Sequence, residues 1–143
     1  MSVDIEVVQD VTEDLVKAFG RLLPQLSRSA RPLDSAALRA LVEWQGNRLL
    51  VARIDGEIVG TLTLVTFPIP TGLRAWIEDV VVDEAARGHG VGAALTQAAV
   101  EIARADGART VDLTSRPARE AANRLYEKLG FQLRDSKVYR LDS

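Results

Sequence analysis

Three groups of residues in this chain have the types and spacing to do chemistry. The first is Arg87-Gly88-His89-Gly90-Val91-Gly92-Ala93, three alternate glycines with an arginine in front. Glycines let a ligand approach the backbone closely. Where such a turn opens a helix, free N–H groups and the positive end of the helix dipole converge on one point, and such a point binds phosphate. The second group is the acid pair Glu78-Asp79 inside a β-branched run, charges that suit a cationic amine. The third is Tyr126, whose phenol, with a pKa of about 10, is protonated at neutral pH and can donate a proton. Ala122, Leu125, Tyr126 and Leu129 also form a helical apolar stripe, so the same tyrosine can be read as core. His89, the only histidine, sits inside the glycine turn. That position excludes a serine–histidine–aspartate hydrolase, whose base would be occupied in a phosphate-binding turn.

The glycine turn has to be sorted from its look-alikes. A P-loop ends in Gly-Lys-Ser/Thr, whereas Val91 and Gly92 follow Gly90 here. The dinucleotide pattern G-x-G-x-x-G/A matches formally at Gly88, Gly90 and Ala93, with an acid, Asp112, about 20 residues on. Against it, Asp83 to Arg87 separate the preceding strand from the first glycine, where the dinucleotide turn is tight. Only about 50 residues then remain for the rest of a doubly wound sheet. The remaining reading is Arg87-x-x-Gly90-x-Gly92 within Ile77-Glu-Asp-Val-x-Val-x-x-x-x-Arg-Gly-x-Gly-Val-Gly92. In this phrase the chain resembles the GNAT superfamily of acetyl-CoA-dependent N-acetyltransferases, whose pyrophosphate loop reads Q/R-x-x-G-x-G/A. Asn123-Arg-Leu-Tyr126-Glu-Lys-Leu-Gly130-Phe131 resembles that family's late helix and following strand. The resemblance covers residues 49–142; the first 48 residues match only in their order of elements.

The resemblance implies a set of roles. The backbone from Arg87 through Gly88, His89, Gly90, Val91 and Gly92 to Ala93 contacts the pyrophosphate of acetyl-CoA, and Arg87 adds a charge-assisted bond. Backbone of Val80, Val81 and Val82 pairs with the pantetheine arm like an added strand, and one of these N–H groups polarises the thioester carbonyl. A bulge near this point re-aims one residue; in an unbulged strand Glu78, Val80 and Val82 share a face. Glu78 takes the proton of the amine, directly or through water; its alternative is a plain ion pair with an arginine, as for Asp79. Tyr126 protonates the departing thiolate. Asn123, one turn earlier on nearly the same face, holds the cofactor or is a capping amide.

These residues need a frame. Val3–Val8 reads as an opening strand, and Thr12 caps a helix with Glu13 and Asp14 in its first turn, which Pro24 and the polar stretch 27–32 break. A second helix starts at Asp34 or Ser35 and ends around Gly46-Asn47. Leu49–Ile54, Asp55-Gly56 and Glu57–Phe67 form a hairpin whose Asp-Gly supplies positive φ. Pro68–Gly72 is a loop. Then come strand Leu73–Val82, helix 91–105, strand Thr110–Thr114, helix Ala118–Leu129 and a closing hairpin turning at Asp135-Ser136. The order is α+β with a mixed, mostly antiparallel twisted sheet and about four helices, in one domain spanning residues 1–143. The crossover through helix 91–105 makes strands 77–82 and 110–114 parallel. In the GNAT fold that pair is splayed around the cofactor.

Composition bounds the partners. The chain is 47% apolar and 27% charged, with 18 basic and 20 acidic residues well mixed, so nothing marks a nucleic-acid or membrane-surface binder. There is no cysteine, hence no disulfide framework, thiolate metal site or acyl-cysteine intermediate, and no metal site is expected. No membrane span or signal pattern is read, and a cytoplasmic protein is the default. Arg28 and Arg31 suit a carboxylate or phosphate on the acceptor, Glu78-Asp79 a cationic amine. The expected activity is sequential transfer of acetyl from acetyl-CoA to a primary amine of a small molecule or peptide, with a homodimer left open. The alternatives are a module that binds or senses acyl-CoA without turnover and a dinucleotide-binding oxidoreductase.

Overall fold

The computed structural model describes residues 2–143. Five strands form one sheet in sequential order: β1 (Asp4–Val7), β2 (Asn47–Ile54), β3 (Glu57–Ile69), β4 (Gly72–Val82) and β5 (Thr110–Asp112). The first four pair antiparallel; β5 runs parallel to β4. Helices α1 (Glu13–Leu26) and α2 (Ser35–Glu43) follow β1, α3 (Val91–Ala105) crosses from β4 to β5, and α4 (Glu120–Lys128) follows β5. The α+β architecture is the one expected from the order of elements.

Alternation along the strands feeds two cores. Leu49, Val51, Ile58 and Val81 face α1 and α2, where Leu15, Phe19, Leu22 and Leu38 are buried. Leu50, Ala52, Leu62, Leu64, Ala75 and Ile77 face α3, against Val91, Leu95 and Ala99. The local signals behave as the residues dictate. Thr12 Oγ1 accepts from Leu15 N–H at 3.2 Å, Asp34 Oδ1 from Ala37 N–H at 2.8 Å, and Asp55 (φ 50) with Gly56 (φ 82) turns the hairpin.

Four expectations need correction. Helix α1 runs through Pro24 to Leu26, because a proline in the last turn loses a single bond to Gly20, and Ser27 N–H still reaches Leu23 O at 2.9 Å. The expected loop 68–72 shrinks to a two-residue turn: Pro68 pairs with Leu73 and Ile69 with Gly72, beyond Val65, where β2 no longer flanks β3. Proline is tolerated in a strand at such an edge. The strand expected to Thr114 stops at Asp112. The closing hairpin does not form; residues 131–143 hold no helix or strand. A two-stranded ribbon gains too little by itself and needs a sheet edge to lie on.

One close approach sets where α3 begins. A Cβ at Gly60 on β3 would stand 2.9 Å from Val91 Cγ1, 3.2 Å from Leu95 Cδ1 and 3.2 Å from the Val81 carbonyl. Gly60→Ala therefore pushes the first turn of α3 off the sheet, and thermal unfolding is expected to show a loss of about 1–3 kcal/mol. An unchanged melting temperature would mean that this turn can shift freely.

Candidate active site

The site begins where the sheet opens. β4 and β5 pair only at Arg74–Thr110, Ala75–Val111 and Trp76–Asp112. From Ile77 to Val82 the β5-facing edge of β4 has no strand partner among the described residues. The splay implied for strands 77–82 and 110–114 is thus present, with its apex at Trp76.

On its other edge β4 carries a bulge. Thr63 stands opposite Glu78 and Thr61 opposite Val81, so Asp79 and Val80 together face a single residue of β3. Asp79 adopts φ 50, a left-handed conformation that costs most residues energy and that aspartate tolerates better than most. The extra residue reverses the alternation. Ile77, Val80 and Val82 lie toward α3, while Glu78 and Val81 lie toward α1 and α2. The bulge implied by the resemblance is present, and it separates Glu78 from Val80 and Val82, which share its face only in a regular strand. Glu78 and Asp79 are exposed, and neither forms an ion pair among the described residues, so the plain ion-pair reading finds no partner.

Beyond β4 the chain makes a short 3-10 turn, Glu84–Ala86, then the glycine run. Gly88 (φ 86) and Gly90 (φ 74) are left-handed, the conformation that favours glycine. Gly90 is the N-cap of α3 and has no side chain to accept from the first turn, so the N–H groups of Val91, Gly92 and Ala93 point outward without a capping acceptor. A Cβ at Gly88 or Gly90 would meet open space, and at Gly92 only ordinary contacts, 3.6 Å to Leu125 and 3.9 Å to Val82. Internal packing does not require this run of glycines. Arg87 gives its own N–H to Glu84 O at 3.4 Å, so what it offers outward is its exposed guanidinium, which has no acidic partner among the described residues. His89 is exposed in the middle of the run.

The connection is tied down by α1. Gln25 Oε1 accepts from Glu84 N–H at 3.0 Å, and Arg21 donates to Ile58 O at 2.8 Å and lies 3.9 Å from Asp83. Arg21 and Gln25 were not legible as site-supporting residues, since nothing local links them to a turn some 59 positions away.

Helix α4 brings in Tyr126. Leu125 reaches the start of α3 at Gly92, and Tyr126 meets Phe131 edge-to-face with ring centroids 5.9 Å apart. The residue is 9% exposed, yet its hydroxyl has no hydrogen bond and is not among the buried unpartnered atoms, so the ring is buried and the oxygen is open to solvent. Burial pushes the phenol above its ordinary value, with the charge of Arg119 two turns earlier acting against that, and the group stays protonated at neutral pH. Asn123 Nδ2 donates to Arg116 O at 3.0 Å in the loop ahead of α4, which ties the loop to the helix and leaves its carbonyl oxygen as the free polar atom. A cavity of about 330 Å³ lined by Thr71, Arg74, Arg109 and Thr110 lies at the opposite end of β4 from the glycine run.

The arrangement combines an anion-binding helix start, an unpartnered strand edge beside it, an unpaired carboxylate on one face of the sheet and a protonated phenol on the other. Residues 9–131 match the acetyltransferase (GNAT) family. The chain is 35% identical to a glucosamine 6-phosphate N-acetyltransferase of Trypanosoma brucei brucei over 98% of this chain and 97% of that protein. Among solved structures, an acetyltransferase from Trypanosoma brucei superposes with a TM-score of 0.79 at 32% identity, covering 99% of this chain and 100% of that one. A transcriptional regulator from Bacillus halodurans superposes with a TM-score of 0.81 at 31% identity, with the same coverage of both chains.

Proposed function

This chain belongs to the acetyltransferase (GNAT) family, and we propose that it transfers acetyl from acetyl-CoA directly to the primary amine of a small phosphorylated amino sugar. The observation that carries this reading is the uncapped, glycine-lined start of α3 opening beside the unpartnered edge of β4. The outward N–H groups of Val91, Gly92 and Ala93, with the Arg87 guanidinium, hold the pyrophosphate. Backbone of Val80, Val81 and Val82 along the free edge pairs with the pantetheine arm, and an N–H released at the Asp79–Val80 bulge polarises the thioester carbonyl. Asn123 holds the loop 116–119 in place and offers its carbonyl oxygen to the same arm.

Acid and base then approach from opposite faces of the sheet. Glu78 lies toward α1 and α2, where an amine can enter and lose its proton. Tyr126 lies on the α3 side, where the departing sulfur needs a proton. With the thioester in the gap between β4 and β5, attack and departure occur on opposite sides of one carbonyl. That geometry suits direct transfer within a ternary complex.

The phosphorylated amino sugar is supported by the named substrate of the relative at 35% identity and by two side chains of this chain. Arg28 and Arg31 are exposed and free of acidic partners among the described residues, in the loop joining the two helices on the Glu78 face. They suit a phosphate, and Glu78 suits the amine.

Cofactor binding is tested by thermal shift. Acetyl-CoA at a hundredfold excess over its Kd should stabilise the protein by roughly 2.7 kcal/mol, and NAD should not. Gly90→Val puts a branched side chain at the N-cap of α3, where a Cβ meets no other part of the protein and stands where the ligand approaches the backbone. The free variant should stay folded, melting somewhat lower because of the left-handed φ of 74 at this position, yet lose the acetyl-CoA shift. A full shift in the variant, or a shift with NAD alone, removes the loop from the cofactor site.

A further inference from the structure

Helix α1 reaches the turn ahead of the glycine run with two side chains, Arg21 and Gln25, one helical turn apart on one face. They flank the stripe of Leu15, Ala18, Phe19 and Leu22 that fills the core. Gln25 is engaged at both ends of its amide. Nε2 donates to Arg21 O at 3.1 Å within the helix, and Oε1, aimed by that bond, accepts from Glu84 N–H at 3.0 Å. The Arg21 guanidinium donates to Ile58 O at 2.8 Å and lies 3.9 Å from the carboxylates of both Glu57 and Asp83. Asp83 in turn gives its N–H to Val59 O at 2.8 Å and accepts from Ala85 N–H at 3.1 Å. The turn Glu84–Ala86 is thereby pinned from outside, to α1 and to the start of β3.

The turn has little else to hold it. Ala86 is its one buried side chain, and residues 84, 85 and 87–90 are exposed. The glycine run that follows supplies no stiffness. A Cβ at Gly88 or Gly90 would meet open space, and glycine has more backbone freedom than any other residue. The far end of the run is fixed by α3. Its near end, Arg87 and Gly88, is fixed through the turn, and hence through α1.

We propose that Arg21 and Gln25 are positioning residues for the cofactor: by pinning the turn they set the place of Arg87 and the glycine run. With that they set the affinity for the pyrophosphate of acetyl-CoA, which neither side chain touches. The proposal rests on the reading of the glycine run as the pyrophosphate site. Its physical cause is preorganisation. A loop already held in its binding conformation costs the ligand nothing to order, and a loosened one lowers affinity by the cost of ordering it. The bond from Gln25 to Glu84 is exposed and joins a surface turn to a helix that the core already holds, so its loss frees the turn and leaves the global fold in place. For one such bond the expected loss of affinity is about 5- to 10-fold.

The test is calorimetric titration of acetyl-CoA into the full chain and three variants, read beside their melting temperatures. Gln25→Leu keeps a good helix former and removes both polar atoms. Its Kd should rise about 5- to 10-fold while its melting temperature falls by at most about 4 °C. Arg21→Met should raise the Kd likewise. Gln25→Glu keeps an acceptor oxygen at the same reach, with its charge faced by Arg21 one turn earlier, and should restore the parent's Kd. In free Gln25→Leu, hydrogen exchange at residues 84–88 should quicken while β3 and α3 keep their protection. Gln25→Leu with the parent's Kd overturns the proposal and leaves the cofactor site standing. A Gln25→Glu variant as weak as Gln25→Leu overturns it too, since the acceptor bond is then not the cause. A parent that does not bind acetyl-CoA removes the pyrophosphate reading, and the proposal with it.

Discussion

Replacing Glu78 with glutamine should leave acetyl-CoA binding intact and lower turnover at neutral pH by about 10²-fold or more. The amine of an amino sugar, flanked by electron-withdrawing oxygens, is less basic than an alkylamine (pKa about 10.4) but still carries a proton in most molecules at neutral pH, and it cannot attack a carbonyl until a base removes that proton. Glu78 is exposed, unpaired, and lies on the face where α1 and α2 frame the acceptor side. Glutamine keeps its size and its place opposite Thr63 and removes only the negative charge. The sign of the pH dependence follows. As pH rises toward the amine's own pKa, a growing fraction deprotonates unaided, so the deficit of the variant should narrow. Wild-type rates in the variant across about pH 6 to 9 would assign the proton to another base or to solvent.

Tyr126→Phe is the second expected large effect, and here two readings of one side chain forecast different results. As the carbon–sulfur bond breaks, a thiolate departs, and a proton delivered at that moment lowers the barrier. Loss of the hydroxyl should therefore cut kcat by about 10-fold to 10³-fold with little change in affinity for the cofactor. The ring, its edge-to-face contact with Phe131 and its burial are all retained. The hydroxyl has no hydrogen-bond partner to lose, so stability should move by less than about 1 kcal/mol. A residue that serves only the core would show an unaltered kcat with stability equally unmoved. Burial raises the phenol's pKa, so the hydroxyl carries its proton across the whole range in which the amine is assayed.

What was legible in the sequence was local. Thr12 and Asp34 announce their helices because a side-chain oxygen three residues ahead of a backbone N–H is enough to cap it. Asp55-Gly56 announces a hairpin because few other pairs accept positive φ twice. The helix at 91–105 falls where its apolar spacing places it, opened by the glycine run. The rest depends on contacts between distant segments. The bulge at Asp79–Val80 was implied only by the resemblance, since a run of β-branched residues does not fix its position, yet it decides which side of the sheet Glu78 occupies. Asp79 adopts positive φ without being a glycine, so no residue type advertises it. The clamp of Arg21 and Gln25 on the strand-to-helix connection joins residues that only the folded chain brings together. The tail is the opposite case: its alternation reads as strand but no strand forms there, because alternation does not say which edge a strand will find.

The central claim is that the cleft between β4 and β5 moves an acetyl group from acetyl-CoA to a small amine, and the mass of the acceptor tests it most directly. The protein is incubated with acetyl-CoA and, in parallel, glucosamine 6-phosphate, glucosamine and a lysine-containing peptide, and each acceptor is weighed. The account predicts one added acetyl group on the amine of the phosphorylated sugar, formed together with free coenzyme A thiol, and slower labelling of the sugar without phosphate. Consumption of acetyl-CoA with no acetylated acceptor in any arm, or no consumption while the protein binds acetyl-CoA tightly, would contradict it.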